Sequence, residues 1–274
     1  MNRILVPVDN GEASKNAVRY AARLASDLEK DIMLINAYQV PISYTEVPLV
    51  TVSLDQIKEV SKELLEKYRK EIQSFSSNAC KVYTESVYGD IEDEIKKAIE
   101  KTNPYIIVIG TAGRSGLGNF FLGSTSIKII KETKTPVLVV PPTLEYKKFD
   151  NIGLTTDFQD VIENTSTRLI NDFIRKFGAK LSVIHVDYER YHFTANTPME
   201  TMHLDNLLTE MNPTYHYIEN KDTIDGIIDC ITKNQIDLLV VYPKKHTWFE
   251  QIFERSITRQ IIHTSILPVL CLRN

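Results

Sequence analysis

Residues Ile106 to Val140 lie over Leu238 to Leu272 at a constant offset of 132, without a gap, and Thr135-Pro-Val-Leu-Val matches Leu267-Pro-Val-Leu-Cys. Upstream, Arg3-Ile-Leu-Val-Pro-Val-Asp9 is echoed by Asn151-Ile-Gly-Leu-Thr-Thr-Asp157, with Asp157 in the place of Asp9. A repeat of about 140 residues is too long for a solenoid unit and has the size of an ordinary domain. The 274-residue chain is therefore expected to hold two related domains, 1–142 and 150–274. Pro141-Pro142 and the polar Glu145–Asp150 read as a stiff linker between them.

Within each unit, short apolar runs alternate with helical periodicities. In the first, Arg3–Asp9, Asp31–Ala37, Lys81–Val87, Tyr105–Ile109 and Pro136–Val140 read as strands. Helices are expected over Ser14–Leu28, Leu54–Phe75, Ile91–Lys101 and Gly123–Thr133. Tyr38–Val52, with Pro41 and Pro48, reads as a long loop, functional or mobile in character. In the second unit the strands are Asn151–Asp157, Lys180–Val186, Thr214–Ile218 and Asp237–Val241, and Val269–Leu272 closes the repeat. The helices between them are expected over Val161–Phe177, near Met199–Met211, and over Asp222–Lys233. Four of the first five strands are apolar on both faces, which a parallel sheet covered by helices requires. The expected fold is α/β: two tandem open parallel five-stranded sheets, Rossmann-like, with helices on both faces. Val137–Val140 is expected to pair with Val269–Leu272, since an exposed apolar edge invites aggregation, and this would make an intramolecular pseudo-dimer.

The net charge of −4 and pI near 5.9 argue against nucleic acid or anionic membrane as the main partner. No basic apolar leader and no apolar run of about 18 residues is visible, so a cytoplasmic protein is expected. Cys80, Cys230 and Cys271 are odd in number and far apart, which fits neither a disulfide framework nor a CxxC metal signature. They read as small buried apolar residues.

Gly110 to Ser126 holds five of the ten glycines and follows the apolar run Ile106–Ile109. Its spacing is Gly110-x-x-Gly113, nine residues, then Gly123-Ser124. Gly110 and Gly113 allow sharp bending and close backbone approach to a ligand. Gly123-Ser124-Thr125 places N–H groups and two hydroxyls at a helix N-terminus, where the dipole favours phosphate. A tight connection needing glycines for its turns is the plainer alternative; five glycines at this spacing favour nucleotide binding. Arg114 either adds charge to the phosphates or is a solvated loop residue. The loop lacks the Gly-Lys-Ser/Thr of a P-loop, and it does not follow the first strand as a dinucleotide fingerprint does.

These residues resemble the universal stress protein family in its ATP-binding branch, whose loop is Gly-x-x-Gly, nine residues, then Gly-Ser/Thr. Gly110 to Thr125 reproduces that loop, and Pro7-Val8-Asp9 and Pro136-Val-Leu-Val extend the resemblance over both repeats. The resemblance implies an adenine nucleotide alpha hydrolase-like fold and bound ATP, with Mg²⁺ able to bridge the phosphates. By position, Pro7, Val8 and Asp9 would end the first strand at the nucleotide, with Asp9 accepting from the ribose hydroxyls. Ala37 would offer backbone atoms to the adenine edge. Gly110 and Gly113 would pass along the triphosphate, while Gly123, Ser124 and Thr125 bind it. Taken alone, Asp9 reads equally well as a helix cap.

In the second repeat Tyr242, Lys245, Trp248 and Arg255 replace Gly110, Gly113, Gly116 and Gly123, and Ser256 survives opposite Ser124. Side chains of this size are expected to exclude a triphosphate. Asp157 then reads as a helix cap. All six histidines fall in the second half, without a metal-site spacing, and Lys244, Lys245, His246 and Arg255 read as a solvated face or a modest anion patch. The resemblance implies a nucleotide-dependent stress-response regulator with a protein partner and a possible homodimer. A slow ATP hydrolase or self-phosphorylating enzyme, and an interaction protein without nucleotide, are the alternatives. No catalytic and no metal-ligating residue is assigned.

Overall fold

The computed structural model describes residues 3–39, 53–75, 80–113, 120–121, 123–158, 161, 167–188, 195–242 and 267–273. In the first half β1 (Arg3–Pro7) leads to α1 (Glu12–Leu28) and β2 (Asp31–Tyr38), then α2 (Leu54–Phe75), β3 (Val82–Tyr88) and α3 (Ile91–Thr102). β4 (Ile106–Gly110) enters a two-residue ladder of β5 (Ala112–Gly113) and β6 (Phe120–Phe121), and α4 (Ser124–Glu132) runs on to β7 (Val137–Val140). The second half holds β8 (Asn151–Thr155), α5 (Arg168–Phe177), β9 (Lys180–Asp187), α6 (Thr197–Leu208), a 3-10 turn at Thr209–Met211, β10 (Thr214–Glu219), α7 (Thr223–Lys233), β11 (Leu238–Val241) and β12 (Val269–Cys271). The helix expected from Val161 is described as α5 only from Arg168.

The strands form one continuous ten-stranded sheet, in the order β10-β9-β8-β11-β12-β7-β4-β1-β2-β3. All neighbours are parallel except β12 and β7, which pair antiparallel with Val269 opposite Val139, Leu270 opposite Leu138 and Cys271 opposite Val137. The expected pairing of Val137–Val140 with Val269–Leu272 is present over Val137–Val139, so the two five-stranded arrays are halves of a single sheet. Each half has the same internal order, first strand central and the chain reversing direction across it.

Strand alternation divides the core into two layers. Ile4, Val6, Ile106 and Val108 face α1 and α2, while Leu5, Ile107 and Ile109 face α3 and α4. Both layers continue across the seam: Leu138 and Leu270 lie in one, Val137, Val139 and Cys271 in the other. Each such fully buried aliphatic side chain contributes about 1.5–3 kcal/mol relative to exposure, so the seam is part of the core.

The segment expected as a polar linker is a packed strap. Phe149 is fully buried, stacked 5.7 Å from Phe173 and edge-on 5.1 Å from Phe177 of α5. Tyr146 meets Tyr20 of α1 edge-on at 5.1 Å, and its hydroxyl donates to Asp27 at 2.6 Å. Asn16 of α1 donates to the Pro141 and Leu144 carbonyls at 2.7 and 3.1 Å. At the far end, the buried Asp237 carboxylate accepts from the Asp150 and Asn151 amides at 2.9 and 3.0 Å and pairs with Lys147. Two aromatic rings among lysines carry the strap into the core, a pattern too short to show a period in sequence.

Candidate functional site

In a sheet of this order the chain reverses between β1 and β4, and ligands bind open α/β sheets beyond the carboxyl ends of the strands at such a switch point. The carboxyl end of β1 is Pro7, followed by Val8 and Asp9; that of β4 is Gly110. Contacts of α1 with both β4 and β5 bring the start of α1 against the glycine segment.

Asp9 is exposed and firmly held. Its Oδ1 accepts from the Gly11 amide at 2.8 Å and the Ser14 hydroxyl at 2.7 Å, and its own amide donates to Ser14 Oγ at 3.0 Å. Its carbonyl accepts from the Tyr68 hydroxyl at 2.8 Å. Burial pushes the Tyr68 phenol up to about 12, with the Asp9 carboxylate adding to the shift. Gly11 is the N-cap of α1 and makes no side-chain cap bond; a Cβ there would lie 2.9 Å from Asp9 Oδ1. Asp9 therefore organises the turn into α1 through Oδ1, and Oδ2 makes no hydrogen bond among the described residues. The cap role occupies Oδ1 alone.

Val8 donates its amide to Ile35 at 2.8 Å, the last rung of β1 on β2. Ala37 lies two residues further along β2, so its N–H and C=O point to the side where β1 has already ended. Between them Asn36 Nδ2 donates to the Val8 carbonyl at 2.6 Å and fixes the width of the gap.

Gly110 has a reason to be glycine within the fold itself. A Cβ there would stand 2.2 Å from the Ala13 carbonyl oxygen, so the missing side chain lets α1 approach β4. Gly113 is paired with Phe120 in the β5–β6 ladder. Arg114 lies outside the described residues. Gly123 is the N-cap of α4, with φ −61° and ψ 154° and no side-chain cap bond. A Cβ at Gly123 would meet no atom within 4 Å. Ser124 and Thr125 open the helix, with early amides that lack an intrahelical acceptor. The helix is tied to α3 by Lys128–Glu92 and Lys96–Glu132 ion pairs on its outer face.

Sequence reasoning missed Ser14, Asn36, Tyr68 and Thr111. The first three hold Asp9 and Val8: Ser14 locally, from the first turn of α1, and Asn36 and Tyr68 from β2 and α2, distant links that no local signal announces. Thr111 is fully buried, donates its amide to Val140 at 3.1 Å, and its hydroxyl has no partner among the described residues.

In the second half the switch point lies between β8 and β11. Tyr242, half-buried against the core at the place of Gly110, has its phenol pushed up by burial. His185 Nδ1 lies 2.9 Å from the Thr156 carbonyl, and Phe158 is buried beside it. Lys244, Lys245, His246, Trp248, Arg255 and Ser256 lie outside the described residues, as do 40–52 of the expected long loop. Among the described residues no group of three or more His, Cys, Asp or Glu side chains could hold a metal ion, and no helix is long and apolar enough to cross a membrane.

The strand order defines an open α/β chain with a switch point between β1 and β4. The universal stress protein family model matches residues 1–141 and again 148–273, and the chain belongs to that family. Universal stress protein MJ0531 of Methanocaldococcus jannaschii is 30% identical over 142 residues, covering 50% of this chain and 81% of that protein. Universal stress protein YxiE of Bacillus subtilis is 27% identical over 145 residues, 51% of this chain and 98% of its own length. Among solved structures, a universal stress protein from Archaeoglobus fulgidus superposes with a TM-score of 0.74 at 19% identity, covering 99% of this chain and 98% of that one, a likeness of fold.

Proposed function

We propose that the first half binds ATP at the carboxyl ends of β1, β2 and β4, and that the chain acts as a nucleotide-dependent stress-response regulator. The observation that carries this reading is the start of α4: an uncapped helix N-terminus whose Gly123 opens on free space, at the far end of the Gly110-x-x-Gly113 segment. A helix N-terminus with unclaimed amides suits phosphate. Asp9 Oδ2 would accept from the ribose, the Ala37 N–H and C=O would meet the adenine edge, and Gly113, Ser124 and Thr125 would line the triphosphate. Arg114 would add charge from the same loop. The residues fit the nucleotide; Mg²⁺ would be held by phosphate oxygens and water, as this ion usually is, rather than by a protein cage.

The two halves are then domains, 1–142 and 150–274, joined as a pseudo-dimer at the β7–β12 ladder. Only the first would carry the nucleotide, and the second would be released for a protein partner. Mass spectrometry of the purified protein for retained adenine nucleotide tests the reading. Steady-state turnover with excess ATP and Mg²⁺ separates a regulator from a hydrolase: stoichiometric retention without sustained turnover is expected. Absence of nucleotide, together with no ATP-induced rise in melting temperature, would sink the proposal.

A further inference from the structure

The outer strands of the sheet, β3 and β10, each have one side unpaired among the described residues. The Gly89 amide donates to the Tyr38 carbonyl and the Asn220 amide to the Asp187 carbonyl, so the alternation of a parallel ladder fixes which groups turn away from it. On β10 these are the N–H and C=O of Tyr215, Tyr217 and Glu219. Among the described residues, every exposed large apolar side chain belongs to α2, β3, α6 or β10, the outermost helix and strand at each end of the sheet.

The two edges are guarded differently. The cleft between α2 and β3 is lined by Glu59, Lys62, Glu63, Glu66, Lys67 and Lys70, and charge of this density deters a second strand. At the other edge α6 presents Met199 and Met202, three residues apart and each 57% exposed. The Tyr215 hydroxyl donates to Asp205 at 3.1 Å, which sets the Asp205 side of α6 over β10, and Met202 shares that side one turn earlier. Tyr217, 63% exposed, stacks on Tyr215 with ring centres 6.3 Å apart. β10 itself holds no lysine and no proline, the usual guards of an open edge.

β10 is also complementary to itself. In an antiparallel pair of copies, only the register centred on Tyr217 maps the three outward residues onto one another. Tyr217 then faces Tyr217 and Tyr215 faces Glu219, while His216 faces Ile218 between them. No like charges meet, whereas centring on Glu219 would oppose two carboxylates. The two-fold axis stands normal to the sheet, so α6 of both copies lies on the same face as the Tyr217 pair.

We propose that the β10–α6 end is a homodimer interface, at which two chains pair β10 to β10 antiparallel about Tyr217 and join their sheets into one. The guarded β3 edge keeps the assembly a closed pair rather than a fibre. The interface lies apart from the nucleotide crevice and its test needs no nucleotide, so it stands or falls separately from the ATP reading.

Sedimentation equilibrium of the whole chain is the test. The wild type is expected to dimerise at micromolar concentration. Tyr217→Pro removes an outward amide and spares the bonds to β9, and Met202→Lys brings a charge to the same face. Each is expected to weaken the dimer by roughly tenfold or more. In a Cys80→Ser background, Tyr217→Cys is expected to cross-link to its own copy under diamide, since residues in a hydrogen-bonded antiparallel pair have Cα atoms about 5.5 Å apart. Glu219→Cys, which faces Tyr215 instead, is expected to stay uncross-linked. A wild type that remains monomeric at high micromolar concentration overturns the proposal, as does a dimer that both substitutions leave intact. Equal cross-linking through positions 217 and 219 overturns it too, and this comparison decides alone if Tyr217→Pro fails to fold.

Discussion

His185 Nδ1 and the Thr156 carbonyl oxygen lie 2.9 Å apart, and this link repeats in different chemistry the 2.6 Å bond from Asn36 to the Val8 carbonyl. The two donors occupy the same rung of the two halves, near the end of the second strand, and each ties that strand to the residue following the first. Once the first strand has ended, the carbonyl beyond it has lost its ladder partner, and a side chain supplies one. The repeat thus conserves a bond rather than a residue.

That equivalence predicts a substitution pattern. His185→Asn should keep the link and cost little, while His185→Ala should leave the Thr156 carbonyl without it and cost about 1–2 kcal/mol. Urea unfolding of the two variants checks this; equal losses would show that the hydrogen bond is not what the site requires.

Two glycines of the loop should respond to very different degrees. Gly110→Ala pushes a methyl group into the Ala13 carbonyl, backbone that has no rotamer to escape by, and should destabilise by about 1–3 kcal/mol. Gly123→Ala enters free space at φ −61° and should cost under about 1 kcal/mol, the difference in capping preference. Thermal melts without nucleotide separate them.

How much of this was legible in the sequence depends on the range of the interaction. The repeat and the apolar runs anticipate strands and helices within a residue or two, because burial on both faces leaves a local signature in stretches such as Ile106–Ile109. The strap carries no such signature, since Tyr146 and Phe149 are separated by Lys147 and Lys148, and only the packing of α1 and α5 shows that the rings turn inward. The constraint on Gly110 that the fold imposes comes from Ala13, nearly a hundred positions away in sequence. Asn36 and Tyr68 act on Val8 and Asp9 from separate elements, and no spacing rule reaches them.

The strap offers a stability test of its own. Phe149→Ala would leave a cavity between Phe173 and Phe177 and should cost about 3–5 kcal/mol. Tyr146→Phe removes one hydrogen bond to Asp27 and should cost about 1 kcal/mol. A flexible tether would tolerate both changes, so near-wild-type denaturation midpoints would contradict the packed arrangement.

Alkaline pH should weaken the fold. Burial raises the Cys271 thiol from its ordinary 9.0 to about 12, and raises Tyr68 from 10.0 to about 12. Both groups are held neutral in the folded chain and ionise at lower pH in the unfolded one. The unfolded state therefore binds fewer protons above pH 9, and stability falls as pH rises from there towards 12. Cys271→Ala should reduce the slope of stability against pH over that interval. Alkylation at pH 8 should mark the half-buried Cys80 well before Cys230 or Cys271.

On the proposed reading, one half of this chain binds ATP and the other does not. Isothermal titration of ATP into the wild type and into a Gly113→Asp, Gly123→Arg double variant, both with Mg²⁺, tests it directly. One equivalent per chain in the wild type and none in the folded double variant is the predicted result. Two equivalents, none at all, or binding that survives the double substitution would contradict it.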